Sequence, residues 1–227
     1  MKNAQRDPIP EIITTEAEWH RARLQGIGGS EAAAIIGRSP WCSNVELWRR
    51  KTGRATAPDI SDNAAVKYGH DAEPLIRELF ALDYADTYET SYGGAFDMVR
   101  HPEHPFIFAT LDGRLVERAT GRRGVLEIKT TTITRSMQRE KWWKDGRPCI
   151  PDNYYCQLIW QMIASGFAFA VSSESRPSSF GMDVGTRRVL QGRACPGKSF
   201  GKPPLTAELR PWMGIGPRRS RPAWRRG

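Results

Sequence analysis

Asp112, Glu127 and Lys129 are the residues whose types and spacing could do chemistry. They lie in two short segments, Thr110-Leu111-Asp112-Gly113 and Leu126-Glu127-Ile128-Lys129. Asp112 stands at the expected end of a strand, just before a glycine turn. Glu127 and Lys129 are two apart in an expected strand, so both side chains project from one face while Ile128 points the other way, into a core. Two carboxylates and a lysine meeting at one sheet edge suit a hard divalent cation. Mg²⁺ takes oxygen ligands, often only one or two protein carboxylates, and completes its shell with water and substrate phosphate. The lysine would then polarise the attacking water or neutralise phosphate charge. By itself an E-x-K pair on a strand is an ordinary surface ion pair; its meaning depends on what surrounds it.

The surrounding pattern predicts helices first. Residues 16–24 read as a short helix leading into the turn Gly26-Ile27-Gly28-Gly29. Ser30 is placed to cap a second helix over 31–36, and Ser43 a third around Val45 to Trp48, closed by Gly53. Residues 55–62 read as a loop. A long helix is expected over 63–83, with Leu75, Ile76, Leu79 and Phe80 at helical spacing. The period then changes. Residues 94–98, 106–111, 114–117 and 124–129 are short β-branched or aromatic runs separated by Gly, Pro and Asp, which predict a small antiparallel meander. Helices over 134–143 and 153–164 follow, and 167–171 reads as the start of a strand. No internal repeat is visible.

Two of these helices carry further polar candidates. Gly69-His70-Asp71-Ala72-Glu73-Pro74 opens the apolar part of the long helix and supplies a third acid, Glu73. Tyr154, Gln157 and Gln161 fall at i, i+3, i+7 and share one helical face. They read either as hydrogen-bonding groups for substrate phosphate or bases, or as an ordinary polar face. Gly26 to Ser30 reads either as a tight turn with a cap or as a phosphate cradle, because N–H groups and the dipole at a helix start favour anions. Trp41 and Trp48 could stack on bases; core packing is the expectation for them.

Taken in order, the pieces 19–23 (W-H-R-A-R), 26–31 (G-I-G-G-S-E), 69–73, Asp112-Gly113, 126–129 and 154–161 resemble the YqaJ-like viral recombinase family, which includes lambda exonuclease, within the PD-(D/E)XK nuclease superfamily. The resemblance covers roughly residues 14–170. It implies an α/β fold of restriction-endonuclease type, with a mixed central sheet flanked by helices. It implies metal ligation by Asp112, Glu127 and the main-chain carbonyl of Ile128, with Glu73 helping to bind the metal or its water, Lys129 as the catalytic lysine and Gln157 as the motif glutamine. Arg23 and Ser30 match positions that look like a 5′-phosphate pocket, and an arginine fork suits a terminal phosphate. Tyr154 and Gln161 are further candidates for substrate phosphate. The implied activity is Mg²⁺-dependent exonuclease digestion of linear double-stranded DNA, 5′ to 3′, with Mn²⁺ as an alternative cofactor. A single-strand annealing protein and a homo-oligomer are the implied partners.

Charge does not by itself point to DNA. The net charge of +9 divides unevenly: residues 1–170 hold 22 Lys+Arg and 22 Asp+Glu, whereas residues 171–227 hold 12 and 3. The excess therefore belongs to the tail. That tail has 8 Gly, 7 Pro and 7 Ser and almost no apolar periodicity, so it is expected to be disordered. The organisation expected is an extension over 1–13, a nuclease-like domain over 14–171, and a basic low-order or degenerate tail over 172–227. The abrupt change at Ser172-Ser173-Glu174-Ser175-Arg176-Pro177 raises an alternative: an out-of-frame ending, lost strands, and a catalytically weak protein that binds DNA without efficient cleavage. Cys42, Cys149, Cys156 and Cys195 form no C-x-x-C pair, which predicts free thiols. No apolar run approaches a membrane span and no signal-peptide pattern opens the chain, so a cytoplasmic location is the default.

Overall fold

The structure is a computed structural model that describes residues 8–130, 143–144, 147–148 and 150–175. The helices form where the caps stand. Helix α1 (Glu16–Leu24) starts at Thr15, whose hydroxyl accepts from Glu18 N–H while the Glu18 carboxylate reaches back, a reciprocal cap. Helix α3 (Asn44–Lys51) starts at Ser43, whose hydroxyl accepts from Glu46 N–H at 3.1 Å. Asn63 caps the 20-residue helix α4 (Ala64–Asp83), which continues through Pro74. Helix α5 (Asp152–Ser165) ends on Gly166 at φ +68°, a left-handed position that glycine fills without strain.

Ser30 does not cap a helix as expected. It lies inside a 3₁₀ turn, Gly29–Glu31, that runs into the short helix α2 (Ala32–Ile35). The cap is supplied by Glu31, whose carboxylate accepts from Gly28 N–H at 2.9 Å. No helix starts at Ser30, so no helix dipole favours an anion there as expected.

The expected meander is divided between two sheets. The strands β1 (Ile9–Glu11), β3 (Met98–Arg100) and β4 (Phe108–Thr110) form one antiparallel sheet. The strands β2 (Tyr88–Ser91), β5 (Gly113–Glu117), β6 (Arg123–Thr130) and β9 (Phe169–Ser175) form the other, in the order β2-β5-β6-β9. In this second sheet β5 runs antiparallel to both neighbours, while β6 and β9 run parallel. It is a mixed sheet, as expected. Leu111 and Asp112 alone connect β4 to β5. Met98 begins β3, but residues 94–97, expected as strand, form a turn closed by Asp97 N–H donating to the Gly94 carbonyl at 3.1 Å. A two-stranded ribbon joins β7 (Trp143–Lys144) and β8 (Arg147–Pro148). Trp143, expected to end a helix, is in that ribbon; the rest of the expected helix 134–143 lies outside the described residues.

The boundary expected at Val171 cuts through β9. That strand continues to Ser175 and pairs with β6 from Gly124↔Phe169 to Thr130↔Ser175. Ser172 and Ser173 are each 1% exposed. Four polar residues read as a break because they lack the apolar character of a strand. Pairing to β6, which lies in the interior of the sheet, settles the matter instead. The residues from 176 on, with the expected tail, lie outside the described residues.

One face of the mixed sheet packs on α4 through Ile76, Phe80, Tyr88, Leu115, Leu126, Ile128, Phe169 and Val171. Ile128 thus enters the core as its alternation with Glu127 and Lys129 requires. Helix α5 ties the opposite side to the glycine turn: the Trp160 indole donates to the Ile27 carbonyl at 2.9 Å and to that of Phe108 at 3.2 Å. Ile27 also bridges Ile107 in parallel. This approach explains the first glycine of G-I-G-G-S, because a Cβ on Gly26 would collide with the backbone of Phe106. Gly26→Ala is accordingly expected to lower stability by about 1–3 kcal/mol, the usual cost of overpacking, read as a lower denaturation midpoint at unchanged m-value.

Candidate nuclease site

The three side chains that opened the sequence argument come together. Asp112 follows the last residue but one of the connection from β4 and accepts, through Oδ2, from the Ile128 N–H at 2.8 Å. This bond fixes its carboxylate beside β6. Glu127 is 2% exposed and is surrounded by donors. Lys129 Nζ and Gln157 Nε2 both donate to its Oε1, the latter at 2.5 Å. Gln161 Nε2 donates to its Oε2 at 2.5 Å. A buried carboxylate needs such partners to remain in place.

The helix face i, i+3, i+7 is therefore real, but its roles differ from one another. Gln157 and Gln161 both hold Glu127. Gln161 is 1% exposed, so it does not face substrate as expected; burial under α5 turns its amide inward. Tyr154 lies under the lysine, with Nζ 5.2 Å from its ring centroid. The third glycine of the turn fits this arrangement, since a Cβ on Gly29 would sit 3.1 Å from Gln161 Cγ and 3.4 Å from Gln157 Cγ.

The electrostatics distinguish the acid from the lysine. Burial first, and the charge of Glu127 second, push the Asp112 carboxyl well above the ordinary aspartate range. Burial also opposes the charge on Lys129, but Glu127 and Asp112 outweigh it and raise its pKa. Lys129 is thus an ammonium donor and not a base. Glu73 is near enough for its charge to help raise Asp112, and its own carboxylate is taken by Arg77 at 2.5 Å.

Whether these residues fit a divalent cation turns on the donors. Among the described residues no three His, Cys, Asp or Glu side chains gather as a metal cage. The candidates are two carboxylates and the Ile128 carbonyl. These are hard oxygen donors in the small number that Mg²⁺ accepts. The raised Asp112 agrees with this, because burial and then the Glu127 charge disfavour its ionised form, and a bound cation would offset both. The residues present fit.

A second cluster lies on α1 and the glycine turn. Arg23 donates toward Ser30 Oγ at 3.5 Å and pairs with Glu31 at 3.4 Å. Lys51 reaches the same Glu31 at 2.8 Å and the Arg23 carbonyl at 2.5 Å. Arg23 and Ser30 are thus brought together as expected. Lys51 and Glu31 were missed, and only the positive last turn of α3 hinted at the former. Trp41 and Trp48 are not in the core: they are 79% and 41% exposed, and the Arg54 guanidinium lies 4.5 Å from the Trp48 ring centroid. Cys42 is a free thiol; Cys149 and Cys195 lie outside the described residues.

Comparison with known proteins adds the family. The YqaJ-like viral recombinase domain matches residues 18–168. The chain belongs to that family. Its resemblance extends to the Uncharacterized protein YqaJ of Bacillus subtilis (strain 168), 33% identical over 141 residues, which are 62% of this chain and 40% of that protein. The chain thus spans less than half the length of this relative. Among solved structures it resembles the alkaline exonuclease LHK-Exo from Laribacter hongkongensis, at TM-score 0.51 and 21% identity, covering 70% of this chain and 74% of that one. LHK-Exo in complex with dAMP matches with the same TM-score, at 22% identity, over 70% of this chain and 73% of that one. These likenesses carry the fold. Among the described residues no helix is long and apolar enough to cross a membrane.

Proposed function

We propose that the chain is a metal-dependent DNA exonuclease of phage-type recombination, hydrolysing phosphodiester bonds of linear duplex DNA from the 5′ end. The observation that carries the reading is the convergence of Asp112, Glu127 and Lys129, with Glu127 held by two glutamines. Family membership supports it, as does a fold like that of an alkaline exonuclease for which a dAMP complex is known.

The site would hold Mg²⁺, or Mn²⁺, through Asp112, Glu127 and the Ile128 carbonyl. The bound cation supplies Lewis acidity at the scissile phosphate and a water of lowered pKa. The chain's own residues do the rest. Gln157 and Gln161 keep the Glu127 carboxylate from rotating. Lys129, an ammonium at working pH, donates to a phosphate oxygen or the attacking water and offsets developing charge. The site sits beneath the glycine turn, so a duplex end whose 5′-phosphate is gripped by Arg23 and Ser30 would lead its first linkage toward Lys129. Digestion from that end leaves a 3′ overhang, the substrate of a strand-annealing partner. A homo-oligomer that encloses the duplex would keep it engaged between cuts.

The test is digestion of 5′-phosphorylated linear, 5′-hydroxyl linear and covalently closed circular duplexes, with and without Mg²⁺. Release of nucleotides from the linear substrates alone, only with Mg²⁺ and faster with a 5′-phosphate, is the expected result. Cutting of the closed circle would replace end-dependent action with internal cleavage. Loss of DNA binding or no digestion at all would leave a non-catalytic family member. Arg23→Gln is expected to abolish the preference for 5′-phosphate, about 10–100-fold for a lost bidentate contact at 1.4–2.8 kcal/mol, while 5′-hydroxyl duplex is cut at the parental rate.

A further inference from the structure

We propose that Arg77 is a positioning residue that sets the cation affinity of the Asp112–Glu127 pair by fixing the main chain at Asp112. The inference rests on the nuclease reading and names a residue that the reading does not use. Arg77 stands four positions after Glu73 on α4, the spacing of a helical i,i+4 pair. Its side chain is only 12% exposed. Nε donates to the Asp112 main-chain carbonyl at 2.7 Å, and a terminal nitrogen pairs with Glu73 at 2.5 Å. The guanidinium carbon lies over the Tyr92 ring, 3.5 Å from its centroid. Two of its nitrogens donate to different partners while the guanidinium lies over a ring, an arrangement a point-like ammonium cannot reproduce.

The place where Arg77 acts gives the bond its consequence. Asp112 belongs to neither sheet ladder; it stands in the two-residue connection between them. Two hydrogen bonds hold it from opposite ends: Ile128 N–H holds the carboxylate, and Arg77 holds the carbonyl. Helix α4, which carries Arg77, is itself fixed to the second sheet through Ile76 and Phe80. Arg77 thus refers the Asp112 peptide to the sheet that carries Glu127. Without it the peptide plane can rotate, and the two carboxylates lose their common frame.

Charge and position make opposite predictions here, which lets one experiment decide. Arg77 is a cation paired with Glu73 and bonded to the main chain of Asp112, so by charge alone its removal would tighten binding of a divalent cation. By position its removal weakens binding even when the charge is kept. The full chain, Arg77→Lys and Arg77→Gln are titrated with Mg²⁺ by calorimetry, and digestion rate is measured against Mg²⁺ and DNA concentration. Expected is a Kd for Mg²⁺ raised about 10–100-fold in both variants, the usual cost of removing an outer partner of a metal ligand. A matching rise in the Mg²⁺ needed for half-maximal rate and an unchanged KM for DNA should accompany it. Arg77→Lys retains the charge, and it carries the test if Arg77→Gln does not fold. Mg²⁺ affinity within twofold of the parent in Arg77→Lys, or tighter in Arg77→Gln, overturns the proposal; a lowered Tm alone, with affinity kept, reduces Arg77 to a stabilising contact and overturns it too. A parent chain that binds no Mg²⁺ and digests no duplex overturns the nuclease reading, a result distinct from a parent that does both and a variant that matches it.

Discussion

Lys129→Ala is expected to digest linear duplex about 10²–10³-fold more slowly than the parent chain at saturating Mg²⁺, the usual loss when one aimed donor is removed from a developing anion. The variant keeps Gln157 and Gln161 on Glu127, so the carboxylate stays in place and Mg²⁺ binding should persist. That separation makes the result diagnostic. Because Glu127 and Asp112 keep the lysine charged, the parental rate should not fall with rising pH until well into the alkaline range. Single-turnover rates on 5′-phosphorylated duplex, paired with calorimetric Mg²⁺ titration, check both points. A parental rate in Lys129→Ala would remove the lysine from the chemistry. Equal losses of rate and metal affinity would make it a structural prop for Glu127.

Asp112→Asn should lose digestion by roughly 10³-fold, since a ligand contributes several kcal/mol through the cation it holds and each 1.36 kcal/mol is a decade. It should also gain stability when no metal is present. The sign follows from proton binding. Folded Asp112 titrates well above the ordinary carboxyl value near 3.9. Between that value and its raised one, the folded chain holds a proton that the unfolded chain has lost. Stability of the metal-free protein therefore falls as pH rises through that window. Asparagine cannot ionise, so this loss disappears, and for a chain of this size Tm at neutral pH should rise by about 2–4 °C per kcal/mol recovered. Excess Mg²⁺ reverses the ranking: it stabilises the parent by about 2.7 kcal/mol at a hundred times Kd and leaves Asp112→Asn unmoved. Thermal melts from pH 4 to 8, with and without Mg²⁺, would show it. A metal-free variant no more stable than the parent would mean that burial and the Glu127 charge do not disfavour ionised Asp112 in the folded chain.

How much of this was legible depended on distance along the chain. Ser43 announces its helix because a cap acts within three residues. Glu127, Ile128 and Lys129 announce their faces because alternation is local. The division into two sheets was hidden, since β4 and β5 are both short strands and nothing in either names its partner. β9 was hidden for a related reason: Ser172 and Ser173 are buried by pairing with β6, a contact more than forty residues away in sequence. The site followed the same rule. Gln157 could be placed by its resemblance to a motif, but the inward turn of Gln161 and the reach of Arg77 to the Asp112 carbonyl depend on how α5 and α4 lie against the sheet. The exposure of Trp41 and Trp48 has no signal in composition, which gives aromatics a default place inside.

The two-residue step that carries Asp112 has a consequence for how the protein is made. Its carboxylate is synthesised early, at the seam between two layers; Glu127 comes 15 residues later, and the amides that restrain Glu127 come only with 157 and 161. A partly translated chain can therefore complete its first sheet without owning a cutting centre. The centre is assembled only when α5, which bears both glutamines, docks against β6, so on the nuclease reading of this site a chain lacking that helix would not cut.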